Sequence, residues 1–104
     1  MKIAITGHTA GIGKALTDQY TNQGHEIVGL SKREGNNIRN IPKICDQIEP
    51  CDMFINNAQA GYAQTELLFE MAGRWAGTGK HIMIISTQIL YMEKEDVNLM
   101  QNIQ

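Results

Sequence analysis

The sequence is short of several things, and each shortage closes off a class of function. It has two cysteines, Cys45 and Cys51, with no second pair and no histidine spacing that would complete a zinc site. They are expected to be reduced core thiols, and no metal centre is expected. His8, His25 and His81 stand at unrelated spacings, each beside a strand or a turn, and are read as structural on that ground. Cationic runs are equally scarce. Lys and Arg occur singly apart from Lys32-Arg33, and the formal charge is -2 with a pI near 5.8, which argues against a nucleic-acid partner. No apolar stretch approaches the length of a membrane span, and Met1 enters a strand-like run with no basic flank. No membrane partner and no signal peptide are expected, so the location expected is cytoplasmic.

What is present is a globular composition. Hydrophobic residues make up 42% and charged residues 19% of 104 residues, enough for one domain with a buried core and too few for a second, substrate-binding domain. The expectation is a single domain over residues 1–104, with an ordered core to about residue 90 and a polar tail over 91–104.

Short apolar runs alternate with helical patterns. Residues 2–6 form a β-branched run that stops at Gly7, as a buried parallel strand does. From Gly13, residues Ala15, Leu16, Gln19 and Tyr20 follow helical spacing, with Gly24 as the stop. His25 to Leu30 reads as a second strand, and a weak third is expected near Ile38. Pro42 suits the first turn of a helix running to Ile48. Met53-Phe54-Ile55 is the next strand, Gln64 to Trp75 the next helix, and His81 to Ile85 the last strand. This order implies a Rossmann-like α/β fold, a doubly wound parallel sheet of about five strands with right-handed crossovers.

The chemistry concentrates in Thr6-Gly7-His8-Thr9-Ala10-Gly11-Ile12-Gly13, between the first strand and the first helix. Gly7 permits a tight exit from the strand. Gly11 and Gly13 let the backbone approach a pyrophosphate, and the helix start offers unpaired amides and a favourable dipole. Gly7, His8, Thr9, Gly11, Ile12 and Gly13 are therefore candidate cofactor-binding residues. This octapeptide resembles the Thr-Gly-x-x-x-Gly-x-Gly signature of the short-chain dehydrogenase/reductase family. A second segment, Asp52 to Ala58, resembles that family's Asp-x-x-x-Asn-Asn-Ala-Gly, in which the strand end borders the cofactor and the Asn side chains tie down the sheet. That adds Asn57 and Ala58 to the candidates. Gln59 replaces the family's Gly and would place a side chain beside the nicotinamide.

After the second strand, Ser31-Lys32-Arg33 combines a hydroxyl with two cations, a set suited to a phosphomonoester. The resemblance thus implies NADP rather than NAD, with Ser31 and either Lys32 or Arg33 at the 2′-phosphate; the bland alternative is a solvated basic turn.

The resemblance also implies a catalytic Tyr, a Lys one helical turn later, a Ser, and an assisting Asn. Thr87 aligns with the Ser, and Ser86 lies one position early. No Tyr-x-x-x-Lys follows: Tyr91 has Glu95 at that spacing and Lys94 one position short of it. Residues 60–79 contain no Asn. The function expected is an NADP(H)-binding oxidoreductase domain that is catalytically incomplete, the nucleotide-binding portion of a longer enzyme ending before the Tyr-Lys motif. Its partners would be the cofactor, a small-molecule substrate if active, and a second copy of the chain at an open sheet edge. The alternatives are a non-catalytic nucleotide-binding or regulatory module, and a structural remnant.

Overall fold

The alternation read from the sequence resolves into a parallel sheet with helices on both faces. The structure is a computed structural model and describes residues 1–58 and 61–85. Its elements are β1 (Lys2–Thr6), α1 (Gly11–Asn22), β2 (Glu26–Leu30), a 3-10 turn (Lys32–Glu34), α2 (Ile41–Ile48), β3 (Met53–Asn56), α3 (Ala63–Arg74) and β4 (His81–Ile84). The strands lie in the order β2-β1-β3-β4, every neighbour parallel.

Side chains alternate across the strands and divide the core in two. Ile3, Ile5 and Ile55 point to one face, where Leu16 and Tyr20 of α1 cover them. Ala4 and Phe54 point to the other, under Ile44 and Ile48 of α2 and Leu67 and Met71 of α3. Because both faces are covered, β1 and β3 have no solvent side, which is why they read as continuous apolar runs. The expected doubly wound α/β architecture is therefore present.

The helix stops and starts also follow the sequence. Gly24 turns the chain out of α1 at φ +88, a left-handed value that a side chain would oppose. Pro42 sits in the first turn of α2, where no amide donor is needed. Arg74 joins the two helices on the second face, donating to Asp46 of α2 at 3.0 Å and to Glu70 at 3.2 Å.

The strand expected near Ile38 does not form. Asn37 Oδ1 accepts the Arg39 amide at 3.0 Å, and the Asn37 carbonyl accepts the Asn40 amide at 3.0 Å, so the backbone closes into a turn. One apolar residue flanked by asparagines has no alternation to satisfy a sheet face, and Asn side chains compete with a ladder for the backbone. Ile38 still reaches the core, 4% exposed. Among the described residues the sheet has four strands, not about five.

Cys45 and Cys51 are free thiols, both fully buried. Burial pushes the Cys45 thiol from its ordinary 9 up to about 11, against the lowering effect of the Arg74 charge. Burial likewise raises Cys51. A thiol whose folded pKa is raised contributes stability that is complete below pH 9 and is lost as pH rises toward 11. The native protein should therefore leave both thiols unmodified by a thiol-titrating disulfide at pH 8 and release two equivalents in denaturant. Fast labelling without denaturant would show that the helix-covered face is open.

Candidate cofactor site

The site begins where β1 ends. The buried Thr6 hydroxyl accepts the amides of Asn57 at 3.0 Å and Ala58 at 3.1 Å, and itself lies 3.5 Å from the Ile55 carbonyl to which it donates. The Asn57 side-chain amide donates back to the Gly7 carbonyl at 3.1 Å. The Gly7 amide donates to the Leu30 carbonyl at 2.8 Å, so the same residue also holds the end of β2. The two sequence segments singled out above are thus hydrogen-bonded to one another, and three strand ends meet at Thr6-Gly7.

Glycine is required here for two different reasons. Gly7 adopts φ +68, in the left-handed region. Gly13 is helical, but a Cβ on it would lie 2.1 Å from the Gly7 carbonyl oxygen and 2.5 Å from the Asn57 amide nitrogen. Backbone against backbone leaves nothing to give way, so α1 reaches the strand ends only with Gly at position 13. Gly11, by contrast, faces open space at φ +57.

The start of α1 is electrically unopposed. Ala10 at its N-cap offers no side-chain acceptor, and the first turn holds no acidic residue. Lys14 makes the first helical bond, to the Ala10 carbonyl at 3.3 Å, leaving the Gly11, Ile12 and Gly13 amides without intrahelical acceptors. Unpaired amides, a positive dipole end and the open space at Gly11 together suit a phosphate. The chain also reverses direction across the sheet here, β1 leading outward to β2 and β2 crossing back to β3, which opens a crevice at the carboxyl ends of β1 and β3.

At the β2 exit lies a cavity of about 160 Å³, with Leu30, Ile38 and Ala58 as its apolar lining and Lys32, Asn36, Asn37 and Arg39 as its polar lining. Lys32 comes from the expected basic triplet, whereas Ser31 and Arg33 do not line the cavity. The Ser31 hydroxyl is sealed from solvent without a hydrogen-bond partner. Its carbonyl instead accepts the Glu34 amide at 3.0 Å and the Asn36 amide at 2.8 Å, which shapes the turn. His8 leans over β2 and places Nε2 3.0 Å from a Glu34 carboxylate oxygen. Thr9 is half-buried in the loop and Ile12 is exposed.

Arg39 is the cavity residue that sequence reasoning missed. It stands one position past Ile38 in the stretch taken for a strand; reading the flanking asparagines as turn formers would have brought that cation to the β2 exit. Asn56 performs the tying role the resemblance implied. Its amide donates to the Gln64 carbonyl at 2.9 Å, while the Gln64 amide donates to the carbonyls of Asn56 at 3.0 Å and Ile85 at 2.7 Å. The expected catalytic residues Thr87 and Ser86, together with Gln59, Tyr91 and Lys94, lie outside the described residues. Among the described residues no group of His, Cys, Asp and Glu could hold a metal ion, and no helix is long and apolar enough to cross a membrane.

A doubly wound parallel sheet with a glycine-rich exit and an uncapped helix at its switch point defines a Rossmann-like α/β domain. The family model described as NAD dependent epimerase/dehydratase family matches residues 3–102, and the chain belongs to that family, which lies within the extended short-chain dehydrogenase/reductase superfamily. Membership makes it an NAD(P)-binding, oxidoreductase-like domain. No curated protein and no solved structure matches the chain.

The Thr6 hydroxyl serves two buried amides at once, so removing it should be expensive for its size. Thr6→Val is expected to destabilise the fold by about 2 kcal/mol in denaturant unfolding, and Thr6→Ser by less than half of that. Equal losses in the two variants would mean that packing, not the hydroxyl, holds the strand ends.

Proposed function

We propose that the chain binds NADP(H) and acts as the cofactor domain of a short-chain dehydrogenase/reductase-type oxidoreductase, folded as one unit over residues 1–104 in the cytoplasm. The observation that carries this reading is the uncapped start of α1 at the switch-point crevice, with Lys32 and Arg39 beside the neighbouring cavity. The residues present suit such a cofactor. The Gly11, Ile12 and Gly13 amides would receive the pyrophosphate, and Gly7, His8 and Thr9 form the loop that brings them to the crevice. Asn57 and Ala58 would border the cofactor from the end of β3.

Preference for the phosphorylated cofactor rests on charge. A 2′-phosphate asks for cations and hydrogen-bond donors, whereas a free 2′-hydroxyl asks for a carboxylate. Lys32 and Arg39 supply the first set, Arg33 adds positive charge from the exposed turn, and Ser31 shapes that turn through its carbonyl.

A nicotinamide cofactor supplies hydride transfer when bound. This chain's own part is to hold and orient it, with Thr87, or Ser86 beside it, as the hydroxyl that would position a small-molecule substrate. No Tyr-x-x-x-Lys occurs in the 104 residues, so the reading is of binding without turnover by this chain alone. Self-association through a sheet edge belongs to the same reading.

Titration of the purified protein with NADPH and with NADH tests the proposal. NADPH should bind about tenfold or more tightly than NADH, and Arg39→Ala should remove most of that difference, as loss of one charge-assisted hydrogen bond does. Absence of binding by either cofactor, or tighter binding of NADH, contradicts it.

A further inference from the structure

The pairing of His8 with Glu34 has no place in the cofactor cradle, yet it joins the cradle to the turn that carries Lys32. His8 belongs to the glycine loop, and its ring is largely buried, with 17% of the side chain exposed. It lies flat enough on β2 that a Cβ on Gly29 would fall 2.3 Å from its Nε2. A glycine inside a strand marks a place where something approaches the backbone closely, and at Gly29 it is this ring. Nε2 reaches the Glu34 carboxylate at 3.0 Å, while Nδ1 is buried with no partner. A neutral ring carries one proton, on Nδ1 or Nε2, and the approach to Glu34 fits the Nε2–H tautomer, which leaves Nδ1 a buried acceptor without a partner.

Glu34 is the carboxylate nearest in sequence to the cavity, two residues after Lys32 on the same turn, and its side chain is 53% exposed. Released, it would have the freedom to pair with Lys32 or to face an incoming phosphate. The other carboxylates in the neighbourhood are placed differently. Asp46, Glu49 and Glu70 surround Arg74, and Glu66 lines an adjoining hollow together with Arg39.

We infer that the His8–Glu34 pair sets cofactor preference. The imidazole, seated on Gly29, holds the Glu34 carboxylate away from the 2′-phosphate position and leaves Lys32, two residues before it on the same turn, free of that carboxylate. This rests on the NADP(H) reading above and assigns His8 as a positioning residue that acts through Glu34, with Gly29 as the seat that makes its placement available.

The test uses the full chain titrated separately with NADPH and NADH, followed by nicotinamide fluorescence. Gly29→Ala adds a methyl group that displaces the ring while leaving every charge in place, and its clash is with a side chain rather than backbone. It should weaken NADPH about tenfold, the effect of one carboxylate a few ångströms from a phosphate near a protein surface, and NADH less than about twofold. His8→Ala should likewise weaken NADPH more than NADH, and Glu34→Gln added to Gly29→Ala should return NADPH affinity to within about twofold of the unaltered chain. Should His8→Ala fail to fold, the Gly29→Ala pair carries the test by itself. Equal weakening of both cofactors, or no recovery with Glu34→Gln, overturns the inference and leaves His8 as a brace for the glycine loop. If the unaltered chain binds neither cofactor, the NADP(H) reading falls first, and the pair has nothing to select.

Discussion

Everything in the site depends on the Thr6 hydroxyl and the Gly7 carbonyl holding the end of β3. The hydroxyl serves the Asn57 and Ala58 amides, and the carbonyl takes the Asn57 side chain. These bonds fix where two strands end relative to each other. That placement in turn leaves so little room above Gly7 that the helix start must carry Gly at position 13. The proposed phosphate cradle is therefore a consequence of how β1 and β3 are joined, and packing at that junction alone accounts for Gly13.

The same junction reaches a third strand end. Gly7 also holds Leu30, so the β2 exit, with its turn and cavity, is anchored to the cradle through one residue. The proposed adenosine side of the site is thus built on three strand ends joined by hydrogen bonds. The substrate side would draw on Ser86 and Thr87, outside the described residues, and family membership supplies an NAD(P)-binding domain without supplying its acid and base.

Much of this was legible in the residues because it is local. A β-branched run closed by Gly7, a helix that needs Gly13 in its first turn, and the Asn56-Asn57-Ala58 strand end are each contained in a few neighbouring positions. Ile38 was misread for the opposite reason: a buried apolar residue in a turn looks like a fragment of strand until the hydrogen bonds of its asparagine neighbours are known. Taking that stretch for a strand hid Arg39. Ser31 is expected beside a ligand; its hydroxyl lies buried without a hydrogen-bond partner, and that burial is set by tertiary packing the sequence does not show. The His8–Glu34 pair joins residues on separate loops, and its one trace in the sequence was Gly29, an unexplained glycine inside an apolar strand.

The central claim is that the strand-end junction presents the α1 amides to a dinucleotide. Backbone amide shifts of the nitrogen-15-labelled protein, recorded as NADPH is added, test it most directly. The account predicts saturable shifts at Gly7, Gly11, Ile12, Gly13 and Ala58, with Lys32 and Arg39 following in the same titration. Shifts confined to residues away from these strand ends, or a spectrum unchanged at millimolar cofactor, would contradict it.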